Sequence, residues 1–310
     1  MALAFQVLVT GAAAGAVYGL LAVGHSLIYR LTGVVNFAFG DLVGLGVFAT
    51  LLVAAGTGPV TQIGVGGGRF ALALVAGVLV CVAASVGSYL YAVEPYLARG
   101  STLGWVGATL AVAFAVNALV ALLFTRSSYV FPDPLPFREV GTAGFVTLGG
   151  VQIQVRAFFV VAVALCLAAL ATWILTRTRF GRGLQAIAAD SEAAQIVGVP
   201  VRLLVAGAFG LAGGLAALAA ITAAPSGAFA TETGVLLGVK GLVAALLVRF
   251  GSAWSAFAAG IGLGIAEAAI AGLTIFGHDL GPQWREVLPL GVALLVVALR
   301  PAREALEEQE

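Results

Sequence analysis

Nine mostly apolar runs divide this chain, and they constrain its fold more than any other feature of the sequence. A helix that crosses a bilayer needs about 20 mainly apolar residues, and most of the runs reach that length. The seventh and ninth are short, so either could be tilted, re-entrant or buried in protein. The pattern predicts an all-α polytopic transmembrane helix bundle of about eight to ten spans. The runs lie near 4–28, 34–55, 70–92, 104–124, 157–175, 203–223, 235–248, 254–275 and 284–299.

The composition leaves room for one membrane domain and little else. Only 9% of the residues are charged, against about 25% in soluble domains, so residues 1–310 are interpreted as a single transmembrane domain. An ATPase domain does not fit between the runs, and Gly234–Gly241 lacks the spacing of a phosphate-binding loop. We expect no cofactor, no metal site, no nucleic-acid partner and no enzymatic activity.

Residues 176–202 form the longest polar, charged stretch of the chain. The stretch lies between two predicted spans, and the positive-inside rule places a basic loop of this kind in the cytoplasm. The same rule then predicts an external N terminus and a cytoplasmic C terminus. The arginines of the stretch are Arg177, Arg179, Arg182 and Arg202.

Local signals within this stretch predict two short helices. Residues 183–189 suit the first helix, and Asp190 or Ser191 can cap the second. Glu192 then falls in the first turn of the second helix, where a negative charge is favourable. Gly198 can end that helix in a left-handed conformation. The predicted product is a small knob on the cytoplasmic face.

Residues 125–156 are predicted to lie on the opposite, external side. Two short alternating runs flank Gly149-Gly150 within this segment, and this pattern indicates a β-hairpin. The segment could contact an external partner, or it could be a lid that covers helix ends.

Four polar side chains lie inside apolar runs: Asn36, Asp41, Lys240 and Glu267. A charge at the bilayer centre costs at least ~2.5–3.5 kcal/mol, so the charged members should face the bundle, a partner or water. Lys240 and Glu267 fall on the seventh and eighth runs, where they could form a structural ion pair or line a solute path. Asn36 could bond exposed backbone at a helix break, or it could line the path.

The polar stretch also carries a family motif. Glu192-Ala193-Ala194, followed after three residues by Gly198, resembles the EAA-x-x-x-G loop of importer-type ABC permeases. The longer string FGRGLQAIAADSEAAQIVGV is similar to the version in LivH-type permeases of branched-chain amino acid uptake. In those proteins the loop docks into a groove of an ATPase subunit. The resemblance therefore implies an ATPase-coupling role for Arg182, Asp190, Glu192, Ala193, Ala194 and Gly198.

Two further stretches resemble the same family. In the first, Phe39 and Asp41 replace the usual His and Glu of a G-x-x-N-F-A-H-G-E segment. In the second, Val248-Arg249-Phe250 replaces the usual glycine pair. The matching residues are Asn36, Phe37, Ala38, Gly40, Lys240, Gly251, Ser252, Gly264 and Glu267, and Leu299-Arg300-Pro301 matches the end of the family pattern.

The resemblance implies the translocation subunit of an ATP-driven importer in a bacterial inner membrane. The implied solute is a branched-chain amino acid or a related small polar solute such as an amide or urea. The implied partners are a second homologous permease subunit, two cytoplasmic ATPase subunits, an external solute-binding protein and the lipid bilayer. The competing hypothesis is an ATP-independent channel or secondary transporter, in which Asp41 and Glu267 would be the protonatable groups.

Overall fold

The structure is a computed structural model, and its helices account for most of the residues that it describes. Those residues are 2–56, 66–100, 103–126, 128–133, 135, 144–148, 151–271, 274–275, 278–279, 287, 290–291, 294–295 and 298. In chain order the helices are α1 (Ala2–Thr32), α2 (Phe39–Ala55), α3 (Gly67–Ser88), α4 (Glu94–Ala98), α5 (Gly104–Leu123), α6 (Val155–Arg177), α7 (Arg179–Ala189), α8 (Ser191–Ile196), α9 (Val201–Ala223), α10 (Thr233–Leu247) and α11 (Ala253–Ala271).

The first eight apolar runs form helices, which confirms the predicted transmembrane bundle. Six described helices are long and apolar enough to cross a membrane, and α2 and α10 are shorter. The short seventh run corresponds to α10, as predicted. The ninth run, 284–299, lies outside the described residues except for single positions.

The second run begins as non-helical chain, so α2 is shorter than predicted. Gly33 ends α1 with a φ of 69°. The side-chain oxygen of Asn36 then accepts a hydrogen bond from the backbone N–H of Ala38 at 3.1 Å. This local bond replaces helical backbone pairing, as is common for asparagine, and α2 starts only at Phe39.

The third run continues beyond its predicted end. A π-helical segment, Tyr89–Val93, joins α3 to α4, and the three pieces form one span from Gly67 to Ala98. At the start of α4, the Glu94 carboxylate forms an ion pair with the Arg202 guanidinium at 2.7 Å. The pair connects α4 to the start of α9, although its exposure makes it a weak contribution to stability.

Glycines bring α1 and α11 into close contact at the centre of the bundle. A Cβ on Gly15 would lie 2.7 Å from the Gly260 carbonyl oxygen, and one on Gly19 would lie 2.7 Å from the Phe257 carbonyl oxygen. Any side chain at these positions would force the helices apart. Close approach of small residues is the usual way in which membrane helices pack without a hydrophobic driving force.

Six short strands form three antiparallel pairs in the described residues, and the first three strands lie between α5 and α6. Strand β2 (Phe145–Leu148) pairs with β3 (Val151–Gln154) in an antiparallel hairpin, as predicted. Strand β1 (Tyr129–Val130) pairs with β4 (Ala228–Phe229), which follows α9. A third pair joins β5 (Thr274–Ile275) to β6 (His278–Asp279).

A buried arginine fastens this segment to the bundle. Arg156, the second residue of α6, forms an ion pair with Asp133. Its guanidinium also donates to the Thr222 carbonyl oxygen at the end of α9, at 3.1 and 3.3 Å. Together with the β1–β4 pairing, these bonds favour the interpretation of the segment as a cover over helix ends.

The turn between α10 and α11 is tight even though the sequence lacks the family's glycine pair. Arg249 and Phe250 adopt φ angles of 55° and 53°, which non-glycine residues rarely do. Phe250 is buried and its ring stacks on Tyr29 with centroids 3.9 Å apart. This stacking on α1 offsets part of the backbone strain.

Candidate coupling segment and intramembrane polar sites

The coupling segment, residues 176–202, contains the two predicted helices, but the first helix begins earlier than expected. α7 starts at Arg179 and not at residue 183, because the Thr178 hydroxyl oxygen accepts from the backbone N–H of Gly181 at 3.0 Å. This side-chain cap satisfies a donor that would otherwise lack a partner at the helix start. Arg182 therefore lies in the first turn of α7 and not before the helix.

The second helix, α8, has the predicted caps at both ends. The Asp190 carboxylate accepts hydrogen bonds from the backbone N–H groups of Glu192 and Ala193, each at 2.9 Å. Glu192 lies in the first turn. Gly198 adopts a φ of 87°, and the next residue, Val199, donates its N–H to the Ala194 carbonyl oxygen at 2.9 Å.

α7 anchors the coupling segment to the bundle. Leu184 and Ile187 are buried, whereas the polar residues Arg179, Arg182 and Gln185 of the same helix are exposed. This amphipathic pattern is typical of a helix that lies on a core. The Gln185 side chain donates to the Leu175 carbonyl oxygen of α6 at 2.8 Å. Phe180 packs on Gly207 of α9, where an added Cβ would lie 2.9 Å from the Phe180 ring. A displacement of α7 would therefore reach both α6 and α9.

α8, in contrast, presents most of its surface outward. Of the motif residues, Asp190, Glu192, Ala193 and Gly198 are exposed, and Ala194 is buried. Ile196 and Val197 are 86% and 78% exposed, and their neighbours are polar or small. The sequence analysis did not single out these two residues. The signal was a pair of β-branched apolar residues inside the longest polar stretch of the chain.

Lys240 and Glu267 form the ion pair that their positions made possible. The Lys240 ammonium donates to both carboxylate oxygens of Glu267, each at 3.1 Å. Tyr18 of α1 completes the group, because its hydroxyl donates to Glu267 at 3.0 Å and accepts from Lys240 at 3.3 Å. All three side chains are buried. The arrangement connects α1, α10 and α11 and fits the structural interpretation.

Asn36 and Asp41 lie at a different place. Besides accepting from the backbone N–H of Ala38, the Asn36 amide donates to the Ser88 hydroxyl at 3.3 Å. Asp41 accepts a hydrogen bond from the Asn117 amide of α5. Both residues line a small cavity of about 40 Å³ together with His25. The four sequence candidates therefore separate into an ion pair, Lys240 with Glu267, and two residues that line a small cavity, Asn36 and Asp41.

The cavity opens beside an apolar surface. Gly238 and Val239 of α10 line it, and Phe37, Val235 and Val239 are 42%, 38% and 40% exposed. Tight glycine contacts hold α10 against α2 here, since a Cβ on Gly234 would lie 2.9 Å from the Gly40 carbonyl oxygen. Three polar side chains, His25, Asn36 and Asp41, therefore lie in a mostly apolar cavity beside exposed apolar side chains of α10.

The family of the chain follows from comparison with known proteins. The family model described as "Branched-chain amino acid transport system / permease component" matches residues 7–298. The chain belongs to this permease family. It is a membrane transport subunit and not an enzyme, and permeases of this kind work with ATPase and substrate-binding partner proteins in the bacterial inner membrane.

Individual relatives cover nearly the whole chain. The chain is 28% identical to the high-affinity branched-chain amino acid transport system permease protein BraD of Pseudomonas aeruginosa, over 96% of the chain and 94% of that protein. It is 24% identical to the permease protein LivH of Escherichia coli K12, over 96% of the chain and 93% of LivH.

The fold has a solved counterpart. An ABC transporter of the metal-chelate type, solved in an inward-facing conformation, matches with a TM-score of 0.52 and 17% identity, over 96% of this chain and 85% of that one. This likeness concerns the fold alone. It supports the predicted architecture of a polytopic transmembrane helix bundle.

Proposed function

We propose that this permease imports branched-chain amino acids or a related small polar solute such as an amide or urea, and that the coupling segment transmits ATPase motion to its spans. One observation carries the coupling proposal: the capped helix α8 is exposed, whereas α7 beside it is packed on the bundle. The names of the relatives BraD and LivH support the solute class.

The exposed side of α8 is the surface that fits an ATPase groove. The motif residues Asp190, Glu192, Ala193 and Gly198 shape and cap it, Arg182 lies one helix earlier, and Ala194 fixes it to the bundle. Ile196 and Val197 supply exposed apolar area at its tip, and removing that area from water on docking would favour the complex. Two ATPase subunits would serve a pair of permeases.

The second permease subunit is proposed to cover the face around the Asp41 cavity. Phe37, which precedes α2, and Val235 and Val239 of α10 are exposed apolar side chains beside Asn36 and Asp41. A partner that covered this face would enclose these two polar residues between two subunits. In this arrangement Asn36 and Asp41 line the solute path, and Lys240 with Glu267 holds the helices behind it. An external solute-binding protein would deliver the solute, and the bilayer would surround the remaining apolar surface.

The test is uptake into vesicles that contain the permease, its ATPases and its binding protein. We expect ATP-dependent leucine uptake with the unaltered chain and a severe loss with Gly198→Val, because a β-branched residue at a φ of 87° costs about 1–3 kcal/mol of local backbone strain. Gly198→Ala should be milder. ATP-independent uptake, or normal uptake by Gly198→Val, would contradict the proposal.

A further inference from the structure

A second cavity, of about 200 Å³, lies between the coupling segment and the bundle. Its walls come from the last turns of α1 and α6, from α7, and from the turn that precedes α11. An engineered cavity of about 150 Å³ in another protein is large enough to bind benzene, so this one can hold a small organic molecule. The apolar part of its lining includes Leu27, Leu175, Leu184 and Trp254.

One buried hydroxyl in this cavity lacks a partner. Ser26 lines the cavity and is 2% exposed. Its hydroxyl oxygen forms no hydrogen bond with any part of the chain that the structure describes. A serine within a helix commonly bonds the carbonyl four residues earlier, and a buried polar group without a partner is costly. A hydrogen bond from a ligand in the cavity would remove this cost.

The charge of the lining selects the class of ligand. Arg30, one helical turn after Ser26, is the one charged side chain among the residues that are described as lining the cavity, and it forms no ion pair within the described chain. Because no described lining residue is acidic, an ammonium group would find no counter-charge. A carboxylate would meet both the guanidinium and the hydroxyl.

We propose that this cavity binds a small monocarboxylate that carries a short branched apolar chain and no ammonium group. Arg30 and Ser26 hold the carboxylate, and the leucines and Trp254 enclose the apolar chain. Since α7 forms one wall, a bound carboxylate also fastens the coupling segment to α1. The position of the cavity on the cytoplasmic side rests on the proposed function, whereas the binding itself does not.

The test is calorimetric titration of the purified full chain in detergent with two probes that share a carbon skeleton. 4-Methyl-2-oxopentanoate has no ammonium group, and L-leucine has one. We expect the oxo acid to bind and leucine to bind at least about tenfold more weakly. Arg30→Gln should weaken the oxo acid about tenfold or more, because it removes a charge-assisted hydrogen bond, and Ser26→Ala should weaken it less.

Arg126→Gln is the matched control, since Arg126 is exposed and lies outside the cavity lining, and it should leave the titration unchanged. Equal weakening by Arg126→Gln and Arg30→Gln, or equal affinity for leucine, would overturn the proposal. Native mass spectrometry provides a further arm: phosphatidylglycerol that is retained by the unaltered chain and lost from Arg30→Gln would assign the cavity to a lipid instead. None of these measurements requires an ATPase, so their failure is separate from failure of the importer.

Discussion

Lys240 is a charged side chain in the middle of a helix bundle, and its partners explain how the bundle tolerates it. The Lys240 ammonium donates to the Glu267 carboxylate at 3.1 Å and to the Tyr18 hydroxyl at 3.3 Å. The Tyr18 hydroxyl in turn donates to Glu267 at 3.0 Å. Removing one member of a buried ion pair is strongly destabilising, by about 3–5 kcal/mol, because the other charge is left alone. The pair therefore stabilises the contact of α10 with α11 as long as both members are present.

The first prediction follows from this asymmetry. Lys240→Met should lower the yield of folded protein, measured as the monodisperse peak in detergent gel filtration. Adding Glu267→Gln should restore part of the yield, because no uncompensated carboxylate remains. A double variant that is no better than Lys240→Met would contradict a structural role and favour Lys240 as part of the solute path.

The sequence alone was enough to predict two of the three members of this buried group, Lys240 and Glu267. Two opposite charges inside neighbouring apolar runs indicated that Lys240 and Glu267 could pair. Tyr18 could not be recognised, because it is separated from Lys240 by 222 positions and from Glu267 by 249, and tyrosine is an ordinary residue of a membrane helix. Only the packing of α1 between the other two helices reveals its hydroxyl as the third partner.

Among the elements, α1 and α11 pack so closely that glycines are required on both sides of their contact. Gly264 of α11 packs on the backbone of Gly11 and Gly15, whereas Gly262 has no described atom within 4 Å of an added Cβ. The two glycines are two residues apart on one helix, and they differ in what a side chain would meet.

The second prediction uses this difference. Gly264→Leu should abolish or sharply reduce folded protein, because overpacking of a tight contact costs about 1–3 kcal/mol or more. Gly262→Leu adds the same side chain on an open face and should fold normally. Thermal stability and yield in detergent measure both. Equal damage from the two variants would mean that helix propensity or insertion, and not the α1–α11 contact, sets the cost.

Element boundaries could be predicted only where their signals are local. Asp190 and Gly198 marked the ends of α8 correctly, since caps act within a few residues. The start of α7 was missed because the prediction began the helix at residue 183 and did not consider Thr178 as its cap. The turn at Arg249 and Phe250 has no glycine signal, and the stacking on Tyr29 that supports it comes from a distant helix.

For the whole molecule, the hydropathy pattern was sufficient to predict eight helices of the bundle, because length and apolarity decide whether a segment can span a membrane. It could not predict which polar residues meet. Asn36 and Asp41 share a cavity, and Lys240 and Glu267 share an ion pair elsewhere. Those groupings depend on how the helices pack, which the order of spans does not specify.

The third prediction concerns orientation in the membrane. In a chain without Cys81 and Cys166, a cysteine at the exposed Ser191 should react with a membrane-impermeant thiol reagent only from the cytoplasmic side. Ser128→Cys, also exposed, should react only from outside, because the single span α6 separates the two positions. Labelling of both from the same side would overturn the predicted topology between α5 and α9.

The central claim is that α8 docks onto a separate ATPase, and copurification of ATPase with the permease tests it most directly. Ile196→Asp should reduce the amount of ATPase that is retained per permease, because it places a charge in an apolar contact. Losing a hot-spot contact costs about 2 kcal/mol or more, roughly 30-fold in affinity.

Ser128→Asp introduces the same charge at an exposed position on the opposite side of α6. The account predicts loss of the ATPase with Ile196→Asp and full retention with Ser128→Asp, both in well-folded protein. Full retention with both would mean that α8 is only a connector.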